Sequence, residues 1–211
     1  MTKPQSSRGD ITRKKIIDTA ERLMAEKGVD AVSMNEIVKA SGQNNASALN
    51  YHFGNKTGLL QAVFDKHTPA IEERRQKLIN ELSAEPSLLN IVEALVLPLM
   101  EELDVDDGGK NYLKIIASLQ NHSVGPRAES DQRPNPPLEA LSIMLLQHCK
   151  GLTHIEFEMR AETVRNILLH NLAAYCRRLE ANPECDFEYR PAFVSNLRRS
   201  ISAVFSLPSE D

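Results

Sequence analysis

With 211 residues, 41% of them hydrophobic, the chain is long enough to bury a small head together with a larger core. Its formal net charge of −4 suits a nucleic-acid partner only once the chain is divided. Residues 1–56 carry nine Lys/Arg against six Asp/Glu, net +3, and residues 57–211 carry sixteen against twenty-three, net −7. Cys149, Cys176 and Cys185 are odd in number and lack metal-type pairing, which argues against a secreted disulfide framework. No apolar run is long enough for a signal peptide or a membrane span, so a cytoplasmic chain without a membrane partner is expected.

Residues 1–9 form a polar arm, from which Lys3 and Arg8 can follow a DNA groove; the alternative is a disordered tail. From Arg13 to Gly28, Ile16, Ile17, Ala20, Leu23 and Met24 recur at helical spacing, and the glycine ends that helix. Ser33 then caps a short helix that turns Met34, Ile37 and Val38 inward, and Gly42 stops it.

A further helix starting near Asn45 turns Leu49 and Phe53 inward. Its outward set comes from Gln43, Asn44, Asn45, Ser47, Ala48, Asn50, Tyr51 and His52. Helix, glycine turn and polar second helix make a helix-turn-helix, and these side chains are the types that pair with base edges and phosphates. Leu59, Leu60, Val63 and Phe64 give a fourth helix to the same small core.

The stretch from Arg13 to Phe64 resembles the DNA-binding domain of the TetR family of transcriptional regulators. The resemblance rests on Ala25-Glu-Lys-Gly28, Ser33-Met34, Ala40-Ser-Gly42, Tyr51-His-Phe53 and the Lys56-x-x-Leu-Leu60 entry to the fourth helix. Two departures stand out. Gly42 to Phe53 spans eleven steps where ten are usual, which places one extra residue in the turn, and the usual Leu-Tyr pair is Leu49-Asn50, with the tyrosine at Tyr51.

The resemblance implies an all-α fold: a three-helix helix-turn-helix head, residues 10–56, joined to a larger helical ligand-binding and dimerisation domain, residues 57–211. It also implies a repressor that binds a palindromic DNA operator as a homodimer and is released by a small ligand. Asn44, Asn45, Ser47, Asn50 and Tyr51 are then assigned to the major groove, with Gln43 beside them. Arg13, Ser33, Tyr51, His52 and Lys56 are assigned to phosphate. One short recognition helix reads too few bases to select a genomic site, so a dimer is also expected on physical grounds.

Beyond Phe64 the pattern stays helical. The fourth helix extends through Leu82, with Pro69 as either a hinge or an ordinary kink. Apolar stripes follow over residues 87–103, 110–122 and 138–149, separated by an Asp/Gly-rich loop at 104–109 and a proline-rich irregular connection at 123–137. Tyr112, Ile116, Gln120, His122, Met144 and His148 are the candidates for a ligand site, and the surrounding Leu, Ile, Met and Val favour an apolar, aliphatic or acyl ligand.

Two closing helices, residues 155–181 and 190–205, carry Val164, Ile167, Leu168 and Tyr175, and Phe193, Leu197, Ile201 and Val204. In a TetR-like chain these stripes form the dimer interface; otherwise they close the monomer core.

Catalysis has no support. Glu156, Glu158 and Arg160 lack a nucleophile and suit a solvated helix face. His122, His148, His154 and His170 fall in no metal-type spacing, and no glycine-rich phosphate loop is present. No enzyme activity, metal or cofactor is therefore expected. Two competing readings are a helical scaffold and a regulator that responds to redox state through a cysteine, with Cys176 beside Arg177 and Arg178 best placed.

Overall fold

The computed structural model describes residues 8–43, 46–121 and 134–209. Among them every regular element is helical. The helices are α1 (Arg8–Lys27), α2 (Met34–Ala40), α3 (Ala46–Phe53), α4 (Lys56–Glu81), α5 (Leu88–Glu102), α6 (Asp107–Ser118), α7 (Pro136–His148), α8 (His154–Ala181) and α9 (Asp186–Ser206), with single 3-10 turns at Leu119–Asn121 and Pro183–Cys185. Residues 1–7 of the expected arm and most of the expected 123–137 connection lie outside the described residues.

In the head, the stripe expected for α1 is buried in full: Ile16, Ile17, Ala20, Leu23 and Met24 pack with Ile37, Val38, Leu49, Phe53, Leu59 and Leu60. Ser33 caps α2 by accepting from the Glu36 amide at 3.2 Å. Gly42 takes φ +69°, which only glycine adopts at no steric cost, and lets the chain leave α2 with its own amide donating to the Lys39 carbonyl at 3.1 Å.

Helix α5 is the centre of the body. Ile91, Val92, Ala94, Val96, Leu99 and Met100 are buried on several sides because α4, α7 and α9 surround it. Helix α6 lies between α1 of the head and α8 of the body, and one continuous core joins the two parts. Helix α4 crosses the expected boundary at residues 56/57 and continues through Pro69.

Some element bounds differ from the sequence expectation. The 104–109 segment is helical from Asp107, because the Asp106 side chain accepts from the Gly108 amide at 2.7 Å and nucleates α6 there. Helix α7 starts at Pro136, capped by Asn135, with prolines at positions where a helix needs no amide. The last helix begins at Asp186, four residues earlier than expected, with Asp186 and Glu188 in its first turn.

The expected dimer stripes pack largely within the single chain. Val164, Leu168, Tyr175, Leu197 and Ile201 are buried within the single chain, and Ile167, Phe193 and Val204 are half-buried against its core. Tyr175 stacks on Phe193 with ring centroids 4.4 Å apart and donates its hydroxyl to Asp186, locking α8 to α9. Helical periodicity identifies a buried side but not which chain covers it. The apolar side chains that α8 and α9 leave exposed are others, among them Ile155, Met159 and Phe187.

Candidate functional site

The recognition segment is positioned by its neighbours. Leu49 and Phe53 anchor α3 in the head core, which turns Tyr51 outward at 86% exposure. The C-terminal end of α3 meets the start of α4 closely. A Cβ at Gly58 would lie 2.1 Å from the Phe53 carbonyl oxygen, so only glycine permits this approach. Asn55 caps α4 by accepting from the Gly58 amide at 2.8 Å.

The residues expected at DNA are distributed unevenly. Tyr51 is fully presented, its ring edge-to-face with His52 at 5.2 Å, and His52 and Gln43 are half-buried. Arg13 is exposed, with its guanidinium 5.3 Å from the centroid of the Phe53 ring, which places it beside the end of α3. Ser33 is exposed but already accepts from the α2 backbone. Lys56 donates to the Asp30 carbonyl at 3.2 Å, tying the start of α4 to the loop ahead of α2. Asn44, Asn45 and the side chains of Ser47 and Asn50 lie outside the described residues.

The body holds a cavity of about 490 Å³ between α4, α5, α6, α7 and α8. Of the expected ligand residues, Tyr112, Ile116 and Gln120 line it. Met144 packs against the core without reaching the cavity, and His148 is exposed and donates to the Pro86 carbonyl at 2.8 Å. His122 lies outside the described residues. The larger apolar contribution comes from Ile71, Leu99, Leu141, Leu145, Val164, Leu168 and Phe205.

Sequence reasoning missed Thr68, Glu72 and Arg75, which put polar groups from α4 into the cavity wall. Their i, i+4, i+7 spacing on one face of the linking helix was the available signal.

The cavity wall touches a buried charge network. Tyr112 stacks on His67, ring centroids 4.8 Å apart, and its hydroxyl lies 3.4 Å from Thr68 Oγ1. His67 Nδ1 is 2.6 Å from Glu102 Oε1 on α5, and the other ring nitrogen meets Glu21 on α1. Burial alone would push the His67 pKa down, but hydrogen bonds to Glu102 and Glu21 overcome it and raise the value to about 9. The ring is thus a charged bridge between head and body.

The remaining candidates have structural uses. Glu156 forms a capping box with Thr153 and also accepts from Ser209; the Ser209 hydrogen bond is the largest of the effects that pull its pKa down to about 2. Arg160 donates to the Pro208 carbonyl at 2.8 Å, fixing the segment after α9. Cys176 is fully buried, and desolvation pushes its thiol up to about 12 despite nearby Lys114. That overturns the expectation of a thiolate activated by Arg177 and Arg178. Cys149 is also buried and its thiol is pushed up by desolvation. Among the described residues no helix is long and apolar enough to cross a membrane.

Residues 16–63 match the family model for bacterial regulatory proteins, tetR family. The chain is 26% identical over 105 residues to the HTH-type transcriptional regulator AcrR of Shigella flexneri, a match that covers 50% of this chain and 47% of that protein. The chain therefore spans about half the length of the curated relative it matches.

A solved putative tetR family transcription regulator from Shewanella sp. PV-4 superposes with a TM-score of 0.55 at 19% identity, covering 92% of this chain and 95% of that one. NalD, the secondary repressor of the MexAB-OprM multidrug efflux pump in Pseudomonas aeruginosa, does so with a TM-score of 0.51 at 20% identity over 90% and 95%. At these identities the likeness establishes a shared fold. The head, residues 16–63, thus matches the tetR family of bacterial regulatory proteins, and the chain shares the fold of a solved protein described as a tetR family transcription regulator.

Proposed function

We propose that this protein is a repressor of transcription, that it binds a palindromic operator as a homodimer, and that a small, largely apolar ligand in the body cavity releases it. It performs no catalysis. The observation that carries this reading is the course of α4. Its first turn, at Asn55 and Gly58, abuts the end of the recognition helix, and its later turns, at Thr68, Ile71, Glu72 and Arg75, form a wall of the cavity. A ligand that shifts this wall shifts the platform on which α3 sits, so occupancy and DNA geometry are linked through one continuous helix.

The exposed Tyr51 and the positive charge of residues 1–56 support DNA as the partner. Spare apolar surface at Ile155, Met159 and Phe187 supports self-association through the last two helices. AcrR and NalD bear names that describe a transcriptional regulator and a repressor, in keeping with the same role here.

The test is selection of bound DNA from a genomic fragment library by the purified chain at near-physiological salt. The reading requires enrichment of one palindrome whose half-sites lie about one helical turn, or a multiple of it, apart. Salt-labile binding without enrichment contradicts it.

A further inference from the structure

The polar groups that α4 contributes to the cavity wall are chemically incomplete. Thr68, Glu72 and Arg75 stand on successive turns of α4 at the cavity wall, with Tyr112 beside them from α6. Arg75 is 3% exposed and donates its Nη1 to Glu72 Oε1, yet its Nε has no hydrogen-bond partner. Oε2 of Glu72 is likewise buried without a partner. One ion pair thus holds an open donor on one member and an open acceptor on the other, in a site otherwise lined mainly by leucine, isoleucine, valine and phenylalanine. Buried polar groups are costly when unpaired, and an occupant that pairs both relieves that cost.

Resting on the reading of this cavity as the effector site, we propose that its ligand is an uncharged amphiphile with an aliphatic body and a head group carrying both a hydrogen-bond donor and an acceptor, such as a carboxamide, seated on the Arg75–Glu72 pair. The head's carbonyl oxygen accepts from Arg75 Nε, and its N–H donates to Glu72 Oε2. Charge balance at the buried pair selects against ionised heads. Glu72 and Arg75 already compensate each other, so a carboxylate meets Arg75 but sets a second negative charge against Glu72, and an ammonium does the reverse beside Arg75; the further cation on the lining, Arg165, is exposed and its charge is screened by solvent. The apolar walls supply the affinity and this pair supplies the discrimination.

The experiment uses the full chain loaded with Nile red as a neutral probe of the cavity, displaced in turn by decanamide, decanoate and decylamine at neutral pH. Decanamide is expected to displace the dye at a concentration about tenfold or more below either ionised homologue. In a Glu72→Leu/Arg75→Met double variant, which still binds the dye, the three compounds are expected to converge. If decanoate or decylamine matches or exceeds decanamide on the unaltered chain, the head-group assignment is overturned and the cavity reading stands. An Ile116→Trp variant, which fills the cavity from α6, separates the two claims. If the dye fails to bind the unaltered chain, or binds the Trp variant equally well, the effector-site reading itself falls and takes this proposal with it.

Discussion

His67 Nδ1 on α4 lies 2.6 Å from Glu102 Oε1 on α5, with both side chains almost fully removed from solvent. Around this contact three carboxylates, Glu21, Glu102 and Asp18, face three cationic groups, the protonated His67, Lys66 and Arg74. Lys66 lies 2.6 Å from Glu21 and 2.8 Å from Asp18, and Arg74 lies 2.5 Å from Glu102. The balance holds only while His67 carries its proton. Replacing His67 with glutamine leaves two buried carboxylates short of a charge, and the expected cost is on the order of 3–5 kcal/mol in chemical denaturation. A cost below about 1 kcal/mol, within the range of ordinary surface changes, contradicts a charged bridge.

The same contact sets a pH dependence. The folded-state pKa of His67, raised to about 9, exceeds its ordinary value of 6.5, so its stabilising contribution is complete below the lower figure and is lost as pH rises through the higher. Denaturation midpoints are therefore expected to fall between neutral and mildly alkaline pH, and the fall is expected to shrink in the glutamine variant. An identical fall in both chains assigns the effect to other groups.

Tyr51 is exposed, and its ring meets His52 of its own helix edge-to-face. Tyr51→Ala is expected to weaken operator binding by roughly 1–3 kcal/mol while leaving the melting temperature unchanged. Lys56→Ala is expected to lower both, because Lys56 donates to the Asp30 carbonyl and fastens α4 to the loop before α2. Parallel thermal melts and operator titrations separate the two residues, and an unchanged operator affinity for the Tyr51 variant removes it from the interface.

Gly58→Ala is expected to destabilise the head by roughly 1–3 kcal/mol, since the new methyl group collides with the backbone of Phe53 rather than with a flexible side chain. The displaced residue ends the recognition helix, so operator affinity is expected to fall by more than stability alone accounts for. Wild-type affinity in this variant means that the junction between α3 and α4 does not position the reading surface.

An aspartate at Leu197 disrupts the monomer core, where this residue is 3% exposed, and so reports on folding. Phe187, 91% exposed at the start of α9, is the better probe of self-association. Phe187→Asp is expected to shift the chain toward monomer in sedimentation without lowering its melting temperature in dilute solution. An intact dimer in that variant removes this end of α9 from the interface.

The head was legible in the sequence because its signals are local. The stripe from Ile16 to Met24, the Ser33 cap and the glycine at Gly42 each determine structure within a turn or two. The His67 bridge was not legible, since Glu21 and Glu102 reach it from 46 and 35 residues away. Thr68, Glu72 and Arg75 carry the pattern of a solvated polar face, and they border a cavity only because α6, α7 and α8 close over them. Tyr175 and Leu197 carry a pattern that fits a dimer seam and a monomer core equally well, and the stacking of Tyr175 on Phe193 within one chain favoured the core.

The most direct test of the account is to follow operator release and cavity occupancy in one titration. Decanamide is added to the chain bound to its selected operator, with DNA binding read by fluorescence anisotropy and cavity filling read in parallel by Nile red displacement. Binding at the two sites is reciprocal if they are coupled, so operator is expected to leave over the same concentration range in which the dye is displaced, and the Ile116→Trp chain is expected to show neither response. Dye displaced to completion with operator affinity unchanged would contradict the claim that α4 carries occupancy of the cavity to the DNA-binding head.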